Sequence, residues 1–288
     1  MDKVLGMLTV QAYAKINLAL DVLYKRPDGY HEVAMIMQAV NLADTVTLTS
    51  QTGDITLNVN ILGLPGDASN LAYRAAALLQ EYAEPGQGVH IELDKQIPLA
   101  AGLAGGSADA AAVLKGLNEL WGLDLSLDEL GKLAAKLGSD VPFCLYNGTK
   151  LATGRGELLA PLPALPACYV VLAKPAIEVP TAWVYRQFKV EQAGRRPDIA
   201  AMSKYLAEGN LAGVAANVAN VLESVTIPAY PEIARIKDHM LAYGAMAALM
   251  SGSGPTVFGI VGCRDQAEAI AGRLRDEGVP EVFVAETV

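Results

Sequence analysis

The sequence predicts a mixed α/β protein built from two domains. Segments with the two-residue period of a strand are followed along the chain by segments with helical spacing. The chain has 288 residues, about twice the length of a typical domain. A segment rich in glycine and proline, at 154–166, suits neither a helix nor a central strand. We therefore place a boundary near residue 160 and predict domains at 1–160 and 161–288.

The predicted strands rest mainly on apolar residues at every second position. In the first strand the alternate positions carry Lys15, Asn17 and Asp21, so we expect one apolar face and one polar face, and the polar face is either half-exposed or turned toward a ligand. Two further segments repeat this alternation, and three short apolar runs complete the set. The strands are expected at 12–21, 55–61, 89–93, 169–172, 256–261 and 281–285.

The predicted helices rest on apolar residues that recur on one helical face. Ser126 and Glu129 form a capping-box pattern at the start of one helix, and Gly138 ends it. An alanine-rich helix ends at Gly122. The helices are expected at 71–82, 110–121, 127–137, 233–243 and 265–276.

Composition excludes several classes of function. Hydrophobic residues make up 52% and charged residues 18%, which is typical of a packed globular protein and argues against disorder. There are 31 acidic and 22 basic residues, so the formal charge of -9 disfavours binding to nucleic acid or anionic lipid through overall charge. A phosphorylated small molecule needs only a local site.

The cysteines and the N-terminus indicate a cytoplasmic protein. Cys144, Cys168 and Cys263 lie far apart, which offers neither a disulfide framework nor a zinc site. The N-terminal segment MDKVLGMLTV is too short for a signal-peptide core, and no run approaches the ~20 apolar residues of a membrane helix. We expect no membrane partner and no obligate protein partner.

The most informative segment is IPLAAGLAGGSADAAA, at 97–112. A predicted strand ends in a loop that holds three glycines and Ser107, and an alanine-rich helix follows at once. Glycines allow close approach to a ligand, and a helix N-terminus offers unpaired N–H groups, so this pattern indicates a phosphate site. Ser107 could cap the helix or bind a phosphate or its metal ion. The spacing matches neither the P-loop nor GxGxxG, and a tight turn is the simpler alternative.

A second glycine loop, MSGSGPT at 250–256, precedes a predicted strand. Taken alone, it is as easily an ordinary turn. Two such loops, one in each half of the chain, indicate a nucleotide or phosphate site between two domains.

Three sets of polar residues are candidates for chemistry, each with a structural alternative. Lys15 is either a solvent-facing lysine or a cation that faces a ligand. Asp140 is either the N-cap of a helix that begins at Val141 or a catalytic carboxylate. Tyr30 and His31 follow a predicted turn and are either ordinary surface residues or ligand contacts. The sequence carries no Ser-His-Asp, Cys-His or HExxH pattern.

Six motifs occur in order along almost the whole chain: AKINLAL at 14–20, RPDGYH at 26–31, IPLAAGLAGGSADAA at 97–111, LGSDVPF at 137–143, ATGRGE at 152–157 and MSGSGPTVF at 250–258. Together they resemble the superfamily of galactokinase, homoserine kinase, mevalonate kinase and phosphomevalonate kinase. The glycine loops indicate the superfamily. The motifs RPDGYH, LGSDVPF and ATGRGE are more specific and resemble its branch in non-mevalonate isoprenoid (terpenoid) synthesis.

This resemblance implies a fold and a reaction. The fold would pair an N-terminal domain like ribosomal protein S5 domain 2 with a C-terminal ferredoxin-like α+β domain, and the active site would lie in the cleft between them. The reaction would be ATP-dependent phosphorylation of the 2-hydroxyl of a methylerythritol that carries a cytidyl diphosphate. ATP and Mg²⁺ are the implied cosubstrate and metal, with no protein ligand of the metal assigned.

The resemblance also implies roles for individual residues. Asp140 corresponds to the catalytic carboxylate and Lys15 to the lysine beside it, while Tyr30 and Tyr185 would enclose the cytosine. The implied ATP-binding residues are Pro98, Leu99, Ala100, Ala101, Gly102, Leu103, Ala104, Gly105, Gly106 and Ser107. The implied substrate-binding residues are Asn17, Tyr30, His31, Thr181, Tyr185, Gly252, Ser253 and Gly254.

One departure from the family pattern leaves alternatives open. The family usually has a second serine after Ser107, where this chain has Ala108. A related small-alcohol kinase would share the glycine loops without needing RPDGYH. A non-catalytic nucleotide sensor is the second alternative, and the retained Lys15 and Asp140 argue against it. A nicotinamide-dependent dehydrogenase is disfavoured because its fingerprint is missing.

Overall fold

The computed structural model describes residues 6–288. Of the N-terminal segment considered above as a signal peptide, the first five residues lie outside this range. The strands are β1 (Met7–Lys25), β2 (His31–Thr52), β3 (Ile55–Val59), β4 (Gln87–Asp94), β5 (Thr149–Thr153), β6 (Leu158–Pro161), β7 (Tyr169–Lys174), β8 (Ala219–Asn220), β9 (Ala247–Met250), β10 (Val257–Val261) and β11 (Glu281–Glu286). The helices are α1 (Leu71–Gln80), α2 (Gly105–Leu120), α3 (Leu127–Leu137), α4 (Val141–Tyr146), α5 (Thr181–Gln187), α6 (Ile199–Ala207), α7 (Leu211–Asn217), α8 (Glu223–Ala229), α9 (Pro231–Ala242) and α10 (Arg264–Asp276), with a 3₁₀ turn at Val190–Gln192.

The α/β class and each predicted strand and helix are confirmed, with small changes at their ends. The strand predicted over 55–61 ends at Val59, and the helix predicted over 71–82 ends at Gln80. The capping box of α3 is present, because the Ser126 hydroxyl accepts from the Glu129 N–H and the Glu129 carboxylate accepts from the Ser126 N–H.

Among the described residues, the first compact unit comprises 6–14, Ala43–Ile97 and Ala104–Tyr146. Here β3 runs parallel to β4, and β4 pairs antiparallel with the end of β2, from Thr45 to Thr52. Helices α1 to α4 pack on one another. Alanines dominate the buried face of α2, so neighbouring helices can approach it closely.

The second compact unit comprises Lys15–Leu42, Pro98–Leu103 and Asn147–Val288. The end of β1 pairs in parallel with β8, and β2 pairs antiparallel with β5. A separate sheet has the order β11-β7-β10-β9 with all neighbours antiparallel. Its chain order is β-α-β-β-α-β, which confirms the implied ferredoxin-like fold. The boundary predicted near residue 160 stays a prediction.

The half-exposed alternative for the polar face of β1 is wrong. Lys15, Asn17 and Asp21 are only 4%, 1% and 7% exposed, so both faces of the strand are covered there. Each buried polar group has a partner, as burial requires. Asp21 accepts from the Arg196 guanidinium, with Nη2 at 2.8 Å and Nε at 3.1 Å from Oδ1.

The glycine- and proline-rich segment at 154–166 contains a strand, β6. Proline is tolerated in β6 because this strand pairs only with β5 and lies at a sheet edge. Helices α5 to α8 were not predicted. They are short, and α8 contains Pro228, but Asp198 and Asn210 cap α6 and α7 and were available as start signals. Among the described residues, no helix is long and apolar enough to cross a membrane.

Candidate active site

The first glycine loop begins and ends earlier than predicted. Strand β4 ends at Asp94 and helix α2 starts at Gly105, so the last two glycines lie in the first helical turn. The predicted capping role of Ser107 is wrong. The N-cap residue is Ala104, whose side chain makes no capping hydrogen bond. The first N–H groups of α2 therefore lack a side-chain cap from Ala104, which suits an anion.

The backbone of the loop alternates in handedness. Ala100, Gly102 and Ala104 have φ of 51°, 73° and 60°, and the residues between them are not in the left-handed region. Alternation of this kind turns successive N–H groups toward one side and forms an anion-binding concavity. Two of the three positions are alanines, which adopt this region less readily than glycine. The backbone of the loop is therefore locally strained at these two alanines.

The two glycines of the first α2 turn serve different purposes. A Cβ atom at Gly105 would lie 3.1 Å from Ile97 Cγ2 and 3.3 Å from Lys95 Nζ, so the protein's own packing leaves little room for a larger residue there. At Gly106 the nearest atom would be Leu71 Cδ1, at 3.9 Å. Nothing in the described chain demands glycine at 106, which is exposed.

The two glycine loops meet at Gly102, within the second unit. The carbonyl oxygen of Gly102 accepts from Lys15 Nζ at 2.8 Å and from the Ser251 hydroxyl at 3.0 Å. Lys15 Nζ also donates to Asn17 Oδ1 at 2.7 Å. The solvent-facing alternative for Lys15 is therefore wrong, because its ammonium is buried and held between a loop and a strand.

The second loop approaches the same lysine. A Cβ atom at Gly252, where φ is 58°, would lie 3.3 Å from Lys15 Nζ and 3.2 Å from the Gly102 oxygen. The position is glycine both for its left-handed backbone and for this close approach. The loop precedes β10 as predicted.

Asn220 shapes the second loop and was missed by sequence reasoning. Its Nδ2 donates to the carbonyl oxygens of Met250 at 2.8 Å and Gly252 at 2.7 Å, while its Oδ1 accepts from the Leu222 N–H. It is 5% exposed. The available signal was one amide side chain inside the apolar run VANVL, since buried polar groups in such runs have specific partners.

Helix α5 joins the second loop to the aromatic residues. Thr181 and Tyr185 lie one turn apart and therefore share a face. The Thr181 and Ser253 hydroxyls are hydrogen-bonded at 2.8 Å. The Tyr185 ring lies 5.4 Å from the His31 ring, centroid to centroid. Burial, aided by the charge of Lys25, lowers the pKa of His31, so its imidazole is neutral at neutral pH.

The motifs RPDGYH and ATGRGE are in contact with each other. The guanidinium of Arg155 lies over the Tyr30 ring, 5.0 Å from its centroid. Glu32 accepts from the Gly154 N–H at 3.0 Å and from Arg26 Nη1 at 2.5 Å. Tyr30 is 55% exposed, which leaves room for a ligand beside it. Enclosure of cytosine by Tyr30 and Tyr185 stays a prediction.

Asp140 belongs to the first unit. It lies directly before α4, and its carbonyl oxygen accepts from the Cys144 N–H at 3.2 Å. Its side chain is half-buried. Helix α4 packs against α2, whose first turn carries Gly106 and Ser107. The catalytic role of Asp140 stays a prediction.

A buried charged cluster beneath α2 was also missed. Lys95 Nζ donates to Asp44 Oδ2 and, at 2.6 Å, to Asp109 Oδ2, and all three side chains are at most 3% exposed. Burial, reinforced by the nearby Asp44 charge and opposed by Lys95, raises the pKa of Asp109 to about 7. Asp109 Oδ1 has no hydrogen-bond partner among the described residues. Asp44 gives no signal in the sequence, because it is one of many polar residues in the long strand β2.

The residues present suit a magnesium ion carried by ATP. Mg²⁺ usually keeps several waters and takes one or two carboxylates together with substrate phosphates. No group of three or more His, Cys, Asp or Glu side chains among residues 6–288 could hold a metal by itself. Ser107, in the first turn of α2, offers a hard oxygen ligand that is not fully buried. The donor set therefore fits a metal whose ligands come mostly from phosphate and water.

Comparison with known proteins identifies the family. Residues 70–148 match the GHMP kinases N terminal domain, and residues 197–280 match the GHMP kinases C terminal domain. A relative in Geobacillus kaustophilus, named 4-diphosphocytidyl-2-C-methyl-D-erythritol kinase, is 52% identical over 270 residues, which are 93% of each chain.

Solved structures agree with these matches. A crystal structure of 4-(cytidine 5'-diphospho)-2C-methyl-D-erythritol kinase is similar with a TM-score of 0.82 and 37% identity, over 97% of this chain and 99% of that one. A homoserine kinase from Cytophaga hutchinsonii shares the fold, with a TM-score of 0.79 and 23% identity, over 100% of this chain and 96% of that one. The chain belongs to the GHMP kinases, ATP-dependent enzymes, and within them to the group of the 4-diphosphocytidyl-2-C-methyl-D-erythritol kinases.

Proposed function

We propose that this chain transfers the γ-phosphoryl group of ATP to the 2-hydroxyl of 4-diphosphocytidyl-2-C-methyl-D-erythritol, a step of non-mevalonate isoprenoid synthesis. The observation that carries this proposal is the buried Lys15 ammonium at the point where the two glycine loops meet. A charged lysine is costly to bury, so its position indicates a function that needs a fixed cation.

The ATP phosphates are assigned to residues 98–107. Three features support this assignment: the alternating backbone of the loop, the first α2 turn without a side-chain cap, and a glycine at 106 that packing does not require. Backbone N–H groups of this kind bind phosphate without a charged side chain. Ala108 is buried within α2, so we propose that Ser107 alone supplies the hydroxyl at this helix start.

The reaction forms one bond and breaks one. The oxygen of the substrate 2-hydroxyl attacks the γ-phosphorus, the bond from that phosphorus to the β–γ bridging oxygen breaks, and ADP leaves. We propose that the Asp140 carboxylate accepts the hydroxyl proton as a general base. Mg²⁺, bound through the ATP phosphates and the Ser107 hydroxyl, would neutralise phosphate charge during transfer.

Lys15 supplies a fixed positive charge. In phosphoryl transfer the protein contributes mainly positioning and electrostatic stabilisation, so a preorganised ammonium stabilises charge near the reacting hydroxyl. Its bonds to Gly102 and Asn17 hold it in place before substrate arrives.

The cytidyl diphosphate substrate is assigned to residues of the second unit. Tyr30 and Tyr185 offer flat faces for stacking on cytosine, and the neutral His31 imidazole offers both a donor and an acceptor for its edge. Asn17, Thr181 and the loop Gly252, Ser253 and Gly254 complete the proposed substrate-binding set.

We also propose that the enzyme works in the cytoplasm and without an obligate protein partner. All three cysteines are free, which supports a reducing compartment. The proposed residues all come from one chain. Activity per enzyme that stays constant on dilution would support the second statement.

The test is ADP release with ATP, Mg²⁺ and 4-diphosphocytidyl-2-C-methyl-D-erythritol, run beside mevalonate, homoserine and galactose. We expect turnover on the cytidyl substrate only. Asp140→Asn should lower kcat by about 10²–10⁴-fold while leaving KM for ATP nearly unchanged. Asp128→Asn, which changes an exposed aspartate in the first turn of α3, is the matched control.

Other outcomes would overturn the proposal. Turnover on another alcohol would remove the substrate assignment, and normal turnover in Asp140→Asn would remove the general base. Tight ATP binding without turnover on any alcohol would favour a sensor.

A further inference from the structure

The segment that leads into the first glycine loop, residues 95–97, is fixed by side-chain hydrogen bonds to its backbone. After β4 the N–H groups of three successive residues donate to side chains: Lys95 to Asn60 Oδ1 at 2.9 Å, and Gln96 and Ile97 to Asp44 Oδ1 at 2.6 and 2.7 Å. Loop backbone of this kind usually bonds to water or to other backbone. Side-chain oxygens here define where the loop begins.

The helix that leaves the loop is held by the same cluster. Asp109 is the fifth residue of α2, and its Oδ2 accepts from Lys95 Nζ, which also donates to Asp44. Lys95 therefore connects the entry of the loop to the helix at its exit. Gly105, the first residue of α2, lies against Lys95 and Ile97 and closes the base of the loop.

Stability does not explain this arrangement. Buried ion pairs are often no more stabilising than apolar residues of the same volume, because desolvation offsets their attraction. The cluster buries two carboxylates with one ammonium and leaves Asp109 Oδ1 without a hydrogen-bond partner among residues 6–288. What the cluster does supply is a fixed geometry at both ends of one loop.

We propose that Lys95, Asp44 and Asp109 are positioning residues that hold the first turn of α2, and the loop before it, in the geometry that receives the ATP phosphates. The inference rests on the proposed assignment of residues 98–107 to ATP. The three residues act through the backbone N–H groups that they place, and they need not touch ATP themselves.

The test compares Asp109→Ala and Asp109→Asn with the unchanged enzyme in kinetics and in binding of ADP and adenosine. Asp109→Ala should raise KM for ATP and Kd for ADP by about tenfold, because a displaced helix start misplaces several phosphate donors at once. Adenosine has no phosphate, so its Kd should change by less than about twofold, as should KM for the cytidyl substrate. Asp109→Asn keeps an oxygen for Lys95 and should restore most of the loss.

A matched control removes a different ion pair. Glu281→Gln breaks the pair of Lys174 Nζ with Glu281 Oε2, 2.6 Å apart in the four-stranded sheet, and should leave both Kd values unchanged. Circular dichroism establishes that each variant is folded. If Asp109→Ala does not fold, Asp109→Asn decides: the proposal then requires a rise of about twofold or more in Kd for ADP with adenosine unaffected.

The proposal is overturned if the decisive folded variant keeps its Kd for ADP, or if ADP and adenosine weaken equally. Gly106→Ala separates this failure from failure of the loop assignment. Unchanged ATP affinity in Gly106→Ala as well would mean that the loop does not bind phosphate. Weakened affinity in Gly106→Ala alone would mean that only the positioning role is wrong.

Discussion

Lys15 Nζ donates to the carbonyl oxygen of Gly102 at 2.8 Å, although the two residues lie 87 positions apart in the chain. The ammonium is buried and is also bonded to Asn17 Oδ1. The bond also fixes the loop to the strand, so the charge and the loop backbone have a defined relationship.

Replacing this cation tests whether its charge serves catalysis. We expect Lys15→Met to lower kcat by about 10²–10³-fold, the usual cost of one preorganised electrostatic contact, with a smaller effect on KM. Methionine retains an unbranched apolar chain, so the core beside β1 stays filled. The measurement is steady-state kinetics with both substrates varied. Lys174→Met, which removes a lysine from β7, is the control and should keep kcat. An unchanged kcat in Lys15→Met would contradict the role.

Gly106→Ala tests the ATP loop without disturbing the protein. A Cβ atom at 106 would meet only Leu71 Cδ1 at 3.9 Å, so the variant should fold, and alanine in a helix is favoured by about 0.5–1 kcal/mol. KM for ATP should nevertheless rise by about tenfold, because the methyl group keeps phosphate away from the first α2 turn.

The matched control is Gly272→Ala. Gly272 also lies in a helix, α10, and its Cβ would meet nothing within 4 Å. It should gain the same stability and keep KM for ATP. Equal KM values in the two variants would show that position 106 does not face a ligand.

Tyr185→Ala should weaken substrate binding more than turnover. Stacking of a base on an aromatic ring contributes about 1–3 kcal/mol, so KM for the cytidyl substrate should rise by about 5- to 150-fold. KM for ATP should hold, since Tyr185 lies on α5 beside His31. Tyr185→Phe keeps the ring and should behave like the unchanged enzyme. Equal rises in both KM values would instead indicate a general disturbance of α5.

The buried Asp109 predicts a pH dependence of folding stability. Its pKa rises from 3.8 to about 7 in the folded state, chiefly through burial, so the folded chain binds this proton more tightly than the unfolded chain. The contribution is complete below about pH 4 and is lost as pH rises through about 7, with a slope near 1.4 kcal/mol per pH unit between them.

Asp109→Asn cannot titrate, so the comparison isolates this one group. The free energy of unfolding of the unchanged protein minus that of Asp109→Asn should fall as pH rises from 5 to 7 and become level above it. Urea denaturation at several pH values measures the difference. A difference that stays constant or grows with pH would contradict the assignment.

Much of the local structure follows from the sequence alone. The start of α3 is set by Ser126 and Glu129, whose hydrogen bonds join residues three positions apart. The strands β3, β4 and β7 follow from apolar patterning. The six motifs were sufficient to indicate the kinase family. These features can be predicted from the sequence because they depend on nearby residues or on a recognisable order of motifs.

Tertiary structure decided the rest, and the reason is burial. An alternating strand leaves open whether Lys15 faces solvent, and only the chain that covers β1 buries that face. Asp44 and Lys95 lie 51 positions apart, and nothing local to either residue indicates the other. Helix α2 starts at Gly105 rather than near residue 110. Gly105 has no Cβ and can therefore lie against Ile97, and helix propensities do not take such a contact into account. Sequence thus determined the elements and the family, while packing determined which polar side chains are enclosed and what they hold.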